Sequence, residues 1–165
     1  MKAKPIIVVL LLALTALAGW VIVAQKPQAP ELRVAALKGG ELTLAQLRGK
    51  VVLVNFWATT CTTCVGEMPR LMETHNRFKG RGFETLAVAM DYDPPEQVKA
   101  FVQRSALPFT FALDTQGAAA KAFGGVRLTP TSYLIDKQGR IIQQYLGAPD
   151  FAKLDGLIDE LLKQS

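Results

Sequence analysis

Apolar and polar positions change period several times along the chain, and the changes mark its elements. A run without charge covers 6–24, flanked by Lys2, Lys4 and Lys26. Residues 51–57 are almost continuously apolar, as a strand covered on both faces should be, with Asn55 as the exception. From Cys64 the spacing becomes helical. Cys64, Met68, Leu71, His75 and Phe78 recur at threes and fours and predict one buried face, with Pro69 inside the pattern as an expected kink. A second buried strand is predicted at 83–90, a helix at 95–105 with Val98, Phe101 and Val102 on its apolar side, and a short strand at 109–113.

An Ala-rich helix follows at 117–123, then a hairpin of 131–136 and 140–145. The last helix, 150–163, is expected to bury Phe151, Leu154, Leu157, Ile158 and Leu161. Ahead of all these, 34–37 and 41–44 flank Lys38-Gly39-Gly40 as a further hairpin. Strands alternating with helices predict an α/β domain, 31–165, with a mixed central sheet covered by helices on both faces. Its active loop should lie at the carboxyl end of a strand. The length left after the first apolar segment suits one core and is short for two.

Nineteen uncharged residues at about 1.5 Å each span roughly 28 Å, close to the hydrocarbon thickness of a bilayer. Residues 1–25 therefore read as a signal anchor, with Trp20 suited to the interface and 26–30 as a short linker. The alternative is cleavage near Ala18, at the small-x-small site Ala16-Leu17-Ala18, which would release a secreted soluble protein. Lysines at the start place the N-terminus inside and the domain outside, so the expected location is a bacterial inner membrane with a single-pass anchor and a periplasmic domain. The linker would keep the domain near the membrane. The net charge of +5 draws three of its lysines from the flanks of the apolar run, and no basic stretch alternates with aromatics, so nucleic acid is not an expected partner.

The chain has only two cysteines, Cys61 and Cys64, on CxxC spacing where a strand gives way to a helix. Unpaired N–H groups and the positive end of the helix dipole favour a thiolate at the first cysteine, while the helical stripe turns the second inward. A zinc site would need about four ligands, and the single histidine, His75, is one further candidate. Fourteen helical residues, about 21 Å, separate it from Cys61, so it serves neither as base nor as a copper ligand beside that thiol. No metal site is expected. In an oxidising compartment two lone cysteines imply redox traffic.

The stretches Val54-Asn55-Phe56-Trp57-Ala58 and Cys61-Thr62-Thr63-Cys64, then Pro69 and Gly125-Val126-Arg127-Leu128-Thr129-Pro130-Thr131, resemble the landmarks of thioredoxins. More closely, the chain is similar to the membrane-anchored periplasmic TlpA/ResA-like group, which adds an N-terminal hairpin and a central helix-strand insert, here 95–113. The resemblance implies a thioredoxin-like fold and dithiol exchange with disulfide-bearing protein substrates, for example in cytochrome c maturation or copper-site assembly. Cys61 would attack and Cys64 resolve. A membrane electron donor would re-reduce the pair, and no cofactor beyond the Cys61–Cys64 disulfide is expected. Pro130 would be a cis proline and Thr129 would meet the substrate, with Trp57 and Thr60 on the same binding surface.

Thioredoxins carry an acidic residue where Asn55 stands. Glu67, three residues after Cys64 and so about 5–6 Å away on a helix, is either the replacement proton acceptor or a solvated helix carboxylate. Thr60 stands where thioredoxins have a second tryptophan, and either opens the surface at Cys61 or caps the helix. A second reading, from another class, is a module that delivers Cu(I) between the same two thiolates.

Overall fold

The structure, a computed structural model, describes residues 26–164. The expected anchor lies outside the described residues. Among the described residues, seven strands form one sheet: β1 (Arg33–Ala36), β2 (Glu41–Thr43), β3 (Val51–Trp57), β4 (Phe83–Ala89), β5 (Thr110–Leu113), β6 (Thr131–Ile135) and β7 (Ile141–Leu146). Their spatial order is β2-β1-β5-β4-β3-β6-β7. The helices are α1 (Thr62–Phe78), which runs on through Pro69, α2 (Pro95–Ser105), α3 (Ala118–Ala122) and α4 (Phe151–Lys163). No helix among the described residues is long and apolar enough to cross a membrane.

Strand β3 organises the rest because it is buried on both faces along its whole length. It runs parallel to β4, from Val51↔Phe83 to Trp57↔Ala89, and antiparallel to β6. Its odd positions, Val51, Leu53 and Trp57, pack with Cys64, Met68 and Leu71 of α1 and with Leu154 and Ile158 of α4. The even positions, Val52, Val54 and Phe56, meet Val34 of β1, a 3-10 turn at Leu44–Leu47, and Ala119 and Ala120 of α3. Two apolar layers thus clamp one sheet, the expected α/β arrangement.

The insert supplies β5, parallel to β4 and antiparallel to β1, so the N-terminal hairpin joins the sheet through it. The start of the described chain is also tied to the sheet. The short linker, 26–30, pairs with it through its backbone. The Ala29 N–H donates to the Gly139 carbonyl and the Ile141 N–H to the Pro27 carbonyl, both at 2.8 Å, while Gln28 bridges Arg140. Strand β7 is an edge whose outward backbone groups need partners, and the strap supplies the acceptor for the first of them, Ile141, while Pro27 has no N–H to give in return.

Candidate active site

Cys61 caps α1. It holds an extended backbone (φ −88°, ψ 100°), and its Sγ accepts from the Cys64 N–H at 3.2 Å. The two sulfurs are joined in a disulfide. Cys61 is half-buried whereas Cys64 is 1% exposed, so an incoming thiolate or disulfide can meet only the first. When the bond opens, the N–H at the helix tip already points at the Cys61 sulfur and favours its anion. Thr60 is exposed beside Cys61 and is not the helix cap, a role that Cys61 itself fills.

The loop that presents Cys61 is held from beneath by Asp93, which is 3% exposed. Its Oδ2 accepts from the Thr59 N–H and its Oδ1 from the Thr59 hydroxyl, both at 2.6 Å. Sequence reasoning missed this residue. It stands in the Asp91–Pro95 stretch, read only as the loop opening α2, and its partner lies 34 residues away.

Facing the disulfide is the loop before β6. The Thr129–Pro130 peptide is cis, and the Thr129 carbonyl oxygen lies 3.5 Å from Cys61 Sγ. The Thr131 hydroxyl donates to the Leu128 carbonyl at 2.7 Å, and the Tyr92 hydroxyl pairs with Thr129 Oγ1 at 3.3 Å, so the loop is tied on both sides. Trp57, expected on this binding surface, is not there. It is 0% exposed, packed against Phe101 at 5.2 Å and Phe111 at 5.7 Å. As an odd residue of β3 it shares the inward side of Leu53, and no substrate can touch it.

Three residues after Cys64 on α1, Glu67 joins a buried polar group. Asn55 Nδ2 donates to Glu67 Oε1 at 3.0 Å and to Ser132 Oγ at 2.9 Å. Glu67 is 5% exposed, which removes the solvated-carboxylate reading, and its Oε2 has no protein partner. Burial pushes the Glu67 carboxyl up from 4.5 to about 7, against the Asn55 hydrogen bond, which pulls it down. Such a group can take or release a proton near neutrality. Asn55, judged unable to accept a proton, instead positions the carboxyl that can. Ser132 was missed because a small hydroxyl in an apolar strand carries no sequence signal.

His75 is buried on the inward face of α1, 4% exposed, with Nδ1 3.2 Å from Thr85 Oγ1 and the Phe83 and Phe109 rings beside it. It belongs to the core at the far part of α1. Among the described residues no group of three or more His, Cys, Asp or Glu side chains is placed to hold a metal ion.

The sequence model of the Redoxin family matches residues 24–158. The chain belongs to the Redoxin family. Among its relatives, thiol-disulfide oxidoreductase ResA of Bacillus anthracis is 36% identical over 134 residues, covering 81% of this chain and 76% of that protein. A protein from Neisseria meningitidis, solved in solution, superposes with a TM-score of 0.77 at 42% identity, over 86% of this chain and 93% of its own. A thiol:disulfide interchange protein of the thioredoxin family from Chlorobium tepidum gives 0.75 at 26%, over 84% and 98%. The fold of this redoxin is thioredoxin-like. Its site brings together an accessible sulfur, a buried sulfur, a buried carboxyl and a facing loop tied by hydrogen bonds, and of these thiol exchange requires the sulfur that a partner can reach.

Proposed function

We propose that this chain is a membrane-tethered periplasmic thiol-disulfide oxidoreductase that reduces protein disulfides. The observation that carries the reading is the disulfide itself, with accessible Cys61 at a helix N-terminus bonded to buried Cys64. In the reduced form the Cys61 thiolate attacks a partner's disulfide, forming a mixed disulfide and releasing one partner thiolate. The Cys64 thiolate then attacks Cys61 Sγ, restores the Cys61–Cys64 bond and frees the second partner thiol. Two electrons pass from the dithiol to the partner, and a membrane dithiol donor returns them. Glu67 takes the proton that Cys64 must lose. Thr129, Pro130 and Thr60 face the partner beside Cys61.

Tethering and location are supported by Lys2 and Lys4 ahead of the uncharged run 6–24. Substrates in cytochrome c maturation or copper-site assembly fit this placement. The test is Cys64→Ala in the full chain, which keeps the attacking thiol and removes the resolving one. It should accumulate mixed disulfides through Cys61 with exported cysteine-containing proteins, released by a reductant. The reading fails if nothing is trapped and Cys61 titrates as an ordinary thiol. Membrane fractionation with a mass measurement checks the anchor, since a cleaved product would appear shortened and soluble.

A further inference from the structure

Cations gather at the end of the sheet away from the disulfide, and a circuit of bonds shows them to be neighbours. The Gly49 N–H donates to the Lys137 carbonyl at 3.0 Å, which sets Arg48 and Lys50 against the β6–β7 turn, and the Arg48 guanidinium donates to the Gln138 carbonyl of that turn. On the other side of Lys50, the Val51 N–H donates to the Gly82 carbonyl at 3.0 Å, so Lys79 and Arg81, in the turn after α1, lie there. Arg81 reaches Asp159 at 2.8 Å and Lys163 reaches the same carboxylate at 2.6 Å, which brings in the end of α4. The Lys137 ammonium closes the circuit by donating to the Leu162 carbonyl at 3.0 Å.

The strap adds Lys26, and the turn adds Arg140, held at 2.7 Å by buried Asp136. Against these eight cations stand four carboxylates, those of Glu84, Asp136, Asp159 and Glu160, an excess of four positive charges. The whole chain carries +5, of which Lys2 and Lys4 supply two, so the rest of the domain is one charge negative. Lys26, Arg48, Lys79 and Lys137 have no carboxylate partner among the described residues. At the disulfide end the sign reverses. The loops that follow β3, β4 and β5, 58–61, 90–94 and 114–117, contain Asp91, Asp93 and Asp114 and no cation.

The seven residues of β3 separate the two ends by about 20 Å. That is more than twice the Debye length of about 8 Å at physiological salt, so a negative surface at the base attracts the cations there and barely acts on the acidic loops. The position of the strap says which surface this is. The uncharged run 6–24 ends two residues before Lys26, and backbone bonds fix Pro27 and Ala29 at the basic end. We propose that this ring of cations docks on the anionic headgroups of a bilayer and directs Cys61 away from the lipid. The proposal rests on the membrane-tether reading and adds a second attachment to it. Each cation near such a surface strengthens binding about fivefold, and a tether that already keeps the domain close makes an excess of four enough to hold it.

The test places the full chain in vesicles, labels it with a membrane-impermeant reagent that acetylates amines, and reads each lysine by mass spectrometry. One set of vesicles is phosphatidylcholine alone and the other contains phosphatidylglycerol as well. Lys153, in the first turn of α4 and so at the disulfide end, is the internal reference, which makes the readout a ratio within one molecule. At about 0.15 M salt the labelling of Lys50, Lys79 and Lys163 relative to Lys153 should be at least about fivefold lower in the anionic vesicles, the factor that one cation's attraction supplies. It should recover at about 1 M salt, where the Debye length is about 3 Å. The double variant Lys50→Glu, Lys79→Glu cancels the excess of four, and in it Lys163 should label equally in both lipids. Equal ratios in the two lipids for the unmodified chain, protection that survives high salt, or Lys163 protection that persists in the variant overturns the docking surface while leaving the tether standing. If alkaline carbonate strips the full chain from both kinds of vesicle, the tether reading falls and the docking proposal with it.

Discussion

Replacing Glu67 with Gln tests the buried carboxyl directly. Glutamine keeps the volume and the oxygen that accepts from Asn55, but it cannot ionise. In the native chain the carboxyl is raised from 4.5 to about 7 by burial, opposed by the Asn55 hydrogen bond. A raised acid binds more protons folded than unfolded, so stability falls as pH rises from about 4.5 to about 7 and levels off above. The full shift at about 1.36 kcal/mol per unit sets a ceiling near 3 kcal/mol, and solvent screening reduces the expected span to about 2 kcal/mol. Urea unfolding at pH 4 to 8.5, with the Cys61–Cys64 disulfide intact so that no thiol titrates, measures it. The difference between variant and native chain should be near zero at pH 4 and grow to about 2 kcal/mol in the variant's favour above pH 7. His75 titrates in both proteins and cancels in the difference. Parallel curves across the whole range would refute the argument, because they would mean that Glu67 ionises as freely in the fold as in the unfolded chain.

Asp93→Ala removes both bonds to Thr59, and midpoint shifts in urea at constant m should report a loss of about 3 kcal/mol, with Asp93→Asn intermediate. Burial lowers the His75 pKa from 6.5, with Glu84 raising and Lys79 lowering it more weakly, so native stability should drop as pH falls below 6.5. His75→Gln should flatten that acid limb in the same unfolding assay. Trp57→Phe should cost about 1.5 kcal/mol through lost packing against Phe101 and Phe111. Its KM for a protein disulfide should stay within about twofold, and a clear rise in KM would return Trp57 to the substrate surface.

Periodicity made the elements legible. The helical stripe from Cys64 to Phe78 and the apolar run of β3 are local patterns, and both turn the predicted side chains inward. The run 51–57 reads as covered on both faces, and Trp57 at its end is buried with the rest, whereas the resemblance put it on the binding surface. Strand order was not legible, because β5 enters between β4 and β1 through pairings decided by tertiary packing. Nor was the Thr59–Asp93 clip, which joins two loops distant in sequence. Spacing placed Glu67 beside Cys64, but only Asn55 and Ser132, arriving from two different strands, show that it is enclosed. The pairing of the linker, 26–30, was not legible either, because an edge strand's unmet donors have no sequence signature.

That strap fixes where the first described residues lie on the domain. It pairs with the β6–β7 turn, and the Gly49 N–H bonds to Lys137 of the same turn, just ahead of where β3 begins. Cys61 lies beyond the other end of β3, seven residues and so about 20 Å away. Lys26 to Ala29 therefore lie at the base of the sheet, and the disulfide lies at the opposite end. The strap and the disulfide thus occupy opposite ends of β3, so a load carried at Lys26 falls on the β6–β7 turn and not on the loop that presents Cys61.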